Sequence, residues 1–183
     1  YKYDNDEEFN TLRYGKIMIF TDQDVDGSHI KGLVMNLFHH MWPALLERKG
    51  FITSLSTPIV KAFKNKDVKI FYNLTEYEHW CNSFEGNMPK GYRIKYYKGL
   101  GTSTKEESKE YFKGINDKMI NYIVDMDEEL KSRTDKAIQL AFDKKFADSR
   151  KEWLLNYDRE NILKYDEYDI NYHDFIHKDL IHF

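Results

Sequence analysis

A single cysteine, Cys81, stands among 183 residues, so no disulfide can close within the chain and a reducing compartment, cytosol or nucleus, is expected. No run approaches the ~18 consecutive apolar residues of a membrane-spanning helix, which leaves a transmembrane helix unsupported. Neither sign of charge dominates. The net charge of −3 neither demands nor excludes a nucleic-acid partner, because a local basic face can be balanced by acid elsewhere. Internal repeats and low-complexity segments are missing, and so are an initiator methionine and a signal-like start. A chain opening on Tyr1-Lys2-Tyr3-Asp4 reads as an interior piece of a longer protein. What is present is a globular composition, 41% hydrophobic and 32% charged, long enough for one compact domain with a real core and a short appendage.

The polar, acidic residues 1–13 read as a flexible or extended lead-in. Lys16-Ile-Met-Ile-Phe20 is nearly all apolar, the pattern of a strand buried on both faces of a parallel sheet. From Ser28 to about Lys49, apolar residues recur at helical spacing, with Pro43 a bend or turn and Gly50 the end. Strands are expected at 51–55, 58–63, 68–72 and 92–97. A short helix opens on Thr75 with Glu78 three residues on, and a Ser103-x-x-Glu106 capping box starts another to about Lys113. Residues 114–133 are charged and weakly patterned, while 134–155 and 172–181 have helical patterning. Strands alternating with helices predict an α/β fold with a mostly parallel sheet flanked by helices.

Residues 21–29, "TDQDVDGSH", carry the strongest chemical signal. Asp22, Asp24 and Asp26 followed by Gly27 open like an EF-hand calcium loop. That template needs a preceding helix and a glutamate at loop position twelve; here a strand precedes, and position twelve is Leu33. The alternative is a carboxylate cluster for a divalent ion at the carboxyl end of a strand, where open α/β sheets bind ligands. In an extended loop the three side chains point the same way. Three acids so gathered repel by roughly 3 kcal/mol per pair at ~6 Å and an effective dielectric of ~20, which bound cations would offset. Ser28 at the next helix N-terminus offers free backbone N–H groups for a phosphate. The plainer reading is a solvated acidic turn with an N-cap.

The stretch "LRYGKIMIFTDQDVDGSHIKGL", with "YYKGLGTS" and "FADSRKEWL" following in that order, resembles the Toprim region of eukaryotic type II DNA topoisomerases from about Leu12 onward. The resemblance implies a Rossmann-like Toprim fold over residues 14–157, with 158–183 a linker and short lead-in to a winged-helix domain. Asp22 and Asp24 match the family's magnesium-binding pair, Asp22 serving both sites of a two-metal arrangement, and Asp26 matches a third, weaker or water-mediated partner. Magnesium suits such donors, being held by one or two carboxylates plus a substrate phosphate. The implied parent enzyme uses ATP bound in another domain to pass duplex DNA through a double-strand break held by phosphotyrosyl bonds. It works as a homodimer in the nucleus, on double-stranded DNA, with no membrane role. Nothing before Asp22 matches the family's Glu-Gly-Asp signature, and the family's nucleophilic tyrosine belongs to the winged-helix domain. The chain alone is therefore expected to bind magnesium weakly and not to cleave DNA.

Lys98, before two glycines and after a strand, is positioned to pair with a phosphate. On a helical wheel over 142–155, Arg150 sits at the edge of the apolar face, where packing could hold it while its fork meets a phosphate, and Lys151 is more exposed. The resemblance assigns this pair to DNA contact. His39, His40, His173 and His177 read as exposed histidines, His29 as either a phosphate contact or loop support, and Trp42, Trp80 and Trp153 as core. Two other functions remain: a non-catalytic DNA-binding or dimer-supporting module, and a haloacid-dehalogenase-like phosphatase with Asp22 as nucleophile. The phosphatase pattern would place threonine where Asp26 stands.

Overall fold

The computed structural model describes all residues except 85–88, 99, 125, 126, 166 and 167, and their side chains except those of residues 100, 128 and 130. The elements run α1 (Asp6–Phe9), β1 (Ile17–Ile19), α2 (Val25–Met41), α3 (Pro43–Glu47), β2 (Ile52–Leu55), β3 (Val60–Lys64), β4 (Asp67–Phe71), α4 (Leu74–Asn82) and β5 (Arg93–Tyr96). Then come α5 (Lys105–Lys113), α6 (Ile115–Lys118), β6 (Met119–Ile123), α7 (Glu128–Phe142), α8 (Ala147–Leu155), β7 (Asp169–Asn171) and α9 (Tyr172–Lys178). No helix among the described residues is long and apolar enough to cross a membrane.

The main sheet has the order β1-β2-β6-β7. β1 pairs parallel with β2 and β6 parallel with β7, while β2 and β6 meet antiparallel. The expected mostly parallel sheet flanked by helices holds here. Central β2 is buried along its whole length, and the all-apolar Ile17–Ile19 run lies at the edge beside it. Met35 of α2, Leu45 of α3, Ile138 of α7 and Phe175 and Ile176 of α9 pack with Ile52 and Tyr122 in one core. A second, antiparallel sheet, β4-β3-β5, takes up the other predicted strands. It encloses a smaller aromatic core in which Phe71, Tyr77 and Trp80 lie with ring centroids 5.2–6.1 Å apart.

Local signals explain most boundaries and several departures from expectation. Pro43 occupies the first turn of α3, so the long predicted helix is two helices broken at Trp42 rather than one bent helix. Arg48, with extended backbone, ends the second, and Gly50, at φ +78, turns the chain towards β2. Residues 1–13 are not a loose lead-in: Asn5 caps α1, Arg48 stacks 4.1 Å over the Phe9 ring, and its guanidinium pairs with Asp6 at 2.8 Å. The cap of α4 is Asn73, not Thr75. The capping box of α5 is Thr104 with Glu107, one residue past the predicted pair, because Ser103 still belongs to the turn.

Larger departures lie further on. The weakly patterned 114–133 stretch holds α6, the strand β6, and the start of α7; the part of it at 125–126 lies outside the described residues. The single helix expected over 134–155 is two, because Asp143 has extended backbone and turns its carboxylate to cap Lys145 at 2.9 Å. Residues 158–183, expected as a linker leading out of the domain, give it β7 and α9 and the buried side chains Leu163, Ile170, Tyr172, Phe175, Ile176 and Leu180.

Candidate metal and nucleic-acid site

The aspartate loop joins the carboxyl end of β1 to α2. Asp24 is the helix N-cap, its carboxylate accepting a hydrogen bond from the Gly27 N–H at 2.9 Å, while the Ser28 N–H returns to the Asp24 carbonyl at 3.1 Å. Helix therefore begins at Val25, and the loop is not extended through Asp26. Asp26 is exposed in the first helical turn, where it complements the helix dipole, rather than aligned with Asp22 and Asp24. Among the described residues, no group of three or more His, Cys, Asp or Glu side chains is gathered closely enough to hold a metal ion.

The expected trio is thus a pair with a satellite. Asp22 and Asp24 are half-buried, and Asp22's carboxyl is pushed above the usual carboxylate range, first by burial and then by the charge of Asp24. Gly27 makes this tight turn possible. A Cβ there would lie 1.9 Å from the Asp22 carbonyl oxygen, so only a residue without one lets the helix start against the loop.

Asp22 lines a small cleft of about 60 Å³, whose other walls include Thr57 and Pro58 before β3, Tyr97 and Ser103 flanking the "KGLGT" stretch, and Tyr111 and Phe112 of α5. The first two sequence motifs therefore meet around one cleft. Its far wall is fixed by Glu107. Burial pushes this carboxyl up, but hydrogen bonds from Lys95 at 2.6 Å, from the Tyr97 hydroxyl and from the Thr104 N–H at 2.7 Å outweigh it and hold it at about 2. One carboxylate so ties β5 to the start of α5 and frames the loop between them. Lys98 is exposed on that loop; Gly99 lies outside the described residues.

The third motif lines a separate patch, where Arg150 lies beside Lys151 and is held by backbone carbonyls. Its Nε donates to the Leu140 carbonyl at 2.8 Å and one Nη to the Asp143 carbonyl at 2.6 Å, so that edge of the guanidinium closes the C-terminus of α7. The break at Asp143 shifts the phase that the helical wheel assumed. Lys151 is exposed, in an open patch with Ala147, Leu154 and Leu155. His177 is half-buried rather than exposed: its Nδ1 accepts from Trp153 Nε1 at 3.0 Å, pinning α8 to α9, and burial with neighbouring His173 lowers its pKa. His39 pairs with Asp135 at 2.9 Å, and His29 stacks on Phe183 at 4.0 Å, which fits loop support.

Sequence reasoning missed the residues on the opposite side of the aspartate loop. There Asp24 lines a cleft of about 430 Å³ together with Tyr165 and Asp179, and Lys31 lies 2% exposed beneath the loop. A signal existed. Gly27, Ser28, Lys31 and Met35 share the buried side of α2, and a lysine on such a face requires an acid from elsewhere in the fold.

Residues 55–183 match the family described as the C-terminal associated domain of TOPRIM. The chain is 46% identical over 193 aligned positions to DNA topoisomerase 2-alpha of Homo sapiens, covering 99% of this chain and 12% of that protein. It is 45% identical over 182 residues to the mitochondrial DNA topoisomerase 2 of Dictyostelium discoideum, covering 99% of this chain and 14% of that protein. A crystal structure of the DNA-binding, cleavage and re-ligation domain of Plasmodium falciparum topoisomerase II superposes with a TM-score of 0.83 at 42% identity, over 99% of this chain and 23% of that one. Nothing in these comparisons supports a phosphatase. The chain belongs to the family of the C-terminal associated domain of TOPRIM, in the form carried by the DNA topoisomerase II proteins of eukaryotes.

Proposed function

We propose that this chain is the magnesium-binding Toprim part of an ATP-dependent type II DNA topoisomerase. The observation that carries the reading is the neighbouring pair Asp22 and Asp24 at the carboxyl end of β1, with Asp22 facing a cleft bordered by Tyr97 and Ser103 of the "YYKGLGTS" segment. The donor set fits the ion. Asp22, whose charge is made costlier by burial and by Asp24, and Asp24, with an oxygen engaged by a helix N–H, match a cation that takes one or two acids and completes its shell with water and phosphate. Asp26, exposed in the first turn of the helix, would act through water.

When bound, magnesium supplies Lewis-acid stabilisation of charge on the sugar oxygen that leaves as DNA is cut. The chain's own residues orient the phosphodiester. Asp22 and Asp24 fix the cation, the α2 N-terminus adds partial positive charge beside it, and Lys98 and Lys151 pair with flanking phosphates. Arg150 has one edge committed to carbonyls, so it holds Lys151's helix in place and offers only its outer edge to DNA. The chain spans 12–14% of the relatives' lengths. The tyrosine nucleophile, ATP site and dimer contacts are accordingly assigned to the longer protein, and this chain alone is proposed to be inactive. A nuclear location follows from the family resemblance, one relative being named mitochondrial. In the full-length protein, Asp22→Asn should abolish magnesium-dependent cleavage of duplex DNA while leaving ATP hydrolysis largely intact. Undiminished cleavage by that variant would overturn the assignment.

A further inference from the structure

Three points on the frame of the aspartate loop converge on one carboxylate that lies 151 residues beyond Ser28. Asp179 closes the C-terminus of α9, its N–H bonded to the Phe175 carbonyl at 3.0 Å. One of its side-chain oxygens accepts from the Ser28 hydroxyl at 2.9 Å, and the other from the Tyr165 hydroxyl. Tyr165 lines the larger cleft together with Gln23, which stands between Asp22 and Asp24. The third point is Lys31, whose Nζ is 3.9 Å from the same carboxylate and 5.6 Å and 5.9 Å from the ring centres of Tyr165 and Phe175.

As a device for stability alone this arrangement is poor. Burying a lysine is costly, and its closest acid sits well beyond the roughly 2.8 Å of a close charge-assisted bond. As a way to fix the loop it is well placed. The carboxylate grips the loop's helical end through Ser28 and fixes Tyr165 in the cleft beside the loop's middle, while the Lys31 charge lies within reach of both Asp179 and Asp24. Two acids that repel would otherwise spread, and a metal site tolerates only about 0.5 Å of misplacement.

We propose that Asp179 is a positioning residue for the metal-binding acids: with Lys31 as buried counter-charge, it clamps Ser28 and sets Tyr165 beside the loop so that Asp22 and Asp24 stay in cation-binding geometry. The inference rests on the magnesium reading above. It also makes the segment that carries Tyr165 and Asp179 part of the functional centre, although neither residue touches the substrate.

The test is Mn²⁺ binding to the full-length protein without DNA, read by electron paramagnetic resonance, alongside thermal unfolding. The paired replacement Lys31→Met with Asp179→Leu removes the buried charge together with its half-buried partner and leaves apolar side chains in their place, so the fold should persist. Its Mn²⁺ dissociation constant should rise by about 10- to 100-fold, as for other residues that orient metal ligands. Ser28→Ala should give a smaller rise in the same direction with little change in unfolding temperature. Parental Mn²⁺ affinity in the folded double variant would overturn the proposal. If the double variant does not fold, Ser28→Ala decides, and unchanged affinity there overturns it. Asp22→Asn separates the two readings: loss of Mn²⁺ there with full binding in the double variant defeats only the role of Asp179, whereas unaltered binding in Asp22→Asn defeats the metal reading itself.

Discussion

Replacing Gly27 by alanine adds one carbon, and the loop geometry says where it must go. The new methyl would lie 1.9 Å from the Asp22 carbonyl oxygen and 2.8 Å from its carbonyl carbon. Those are backbone atoms, so no side chain can swing aside. To reach ordinary contact, the first turn of α2 and the Asp22 peptide must separate by more than about 1 Å. Two terms oppose each other in stability. Alanine favours the helix by about 1 kcal/mol, and forced overpacking costs about 1–3 kcal/mol, leaving a net loss of about 0–2 kcal/mol. The functional term is far larger. A displacement of about 1 Å at a ligand-bearing peptide costs on the order of 100-fold in rate. Gly27→Ala in the full-length protein should thus fold, hydrolyse ATP and bind DNA, yet cleave DNA about 100-fold more slowly at a fixed magnesium concentration. The assay is a cleavage time course beside ATP turnover and thermal unfolding. Cleavage at the parental rate would refute the claim that the helix start and the acid pair are one rigid unit.

Glu107→Gln should destabilise the frame of the "KGLGT" loop by about 2 kcal/mol, since hydrogen bonds to a charged acceptor are lost. Because the Glu107 carboxyl is held at about 2, below its ordinary value, its contribution is full above about 4.5 and lost as pH falls towards 2; the variant should lack that part of the acid unfolding profile. Lys151→Ala should flatten the dependence of DNA affinity on salt by about one unit of slope with no change in unfolding temperature, whereas Arg150→Ala should lower the unfolding temperature, because two α7 carbonyls lose their donor. An Arg150→Ala protein of parental thermal stability would contradict the capping role. His177 has a depressed pKa, so the folded state resists its protonation and stability should fall as pH drops below about 6.5; His177→Gln should remove that step from denaturant unfolding curves measured between pH 5 and 7.5.

What could be read from the sequence was whatever is decided by near neighbours. The apolar Ile17–Ile19 run, the aspartates at its end, and the strand leading to Lys98 are local patterns, and each lies within two residues of its expected place. Errors arose where a short polar side chain redirects the backbone. Asp24 as N-cap starts the helix early and turns Asp26 out of line with its partners; Asp143 does the same between α7 and α8 and breaks the continuous wheel that placed Arg150 at the edge of the apolar face. β6 was hidden for another reason. Met119-Ile-Asn-Tyr-Ile123 is buried at alternate positions, but only its antiparallel partner β2 and parallel partner β7 make it a strand, and β7 is three residues long.

The site itself divides along the same line. The acids that would meet a cation are contiguous and legible, whereas the groups that hold them in place come from Tyr165 and Asp179, brought over by the segment that sequence reasoning treated as a linker. There is a physical reason for the division. A loop that concentrates like charge has little local means to offset it, since its local hydrogen bonds, Thr21 to the Gly27 carbonyl and the Gly27 N–H to Asp24, bring no cation to the acids. The compensation has to come from a distant element with its own reason to be rigid, and α9, packed through Phe175 and Ile176 against the sheet, is such an element. Lys31 is the one residue from which this could be inferred in advance: a cation on the buried stripe of α2 has no acid three or four residues away on its helix, which calls for a tertiary partner.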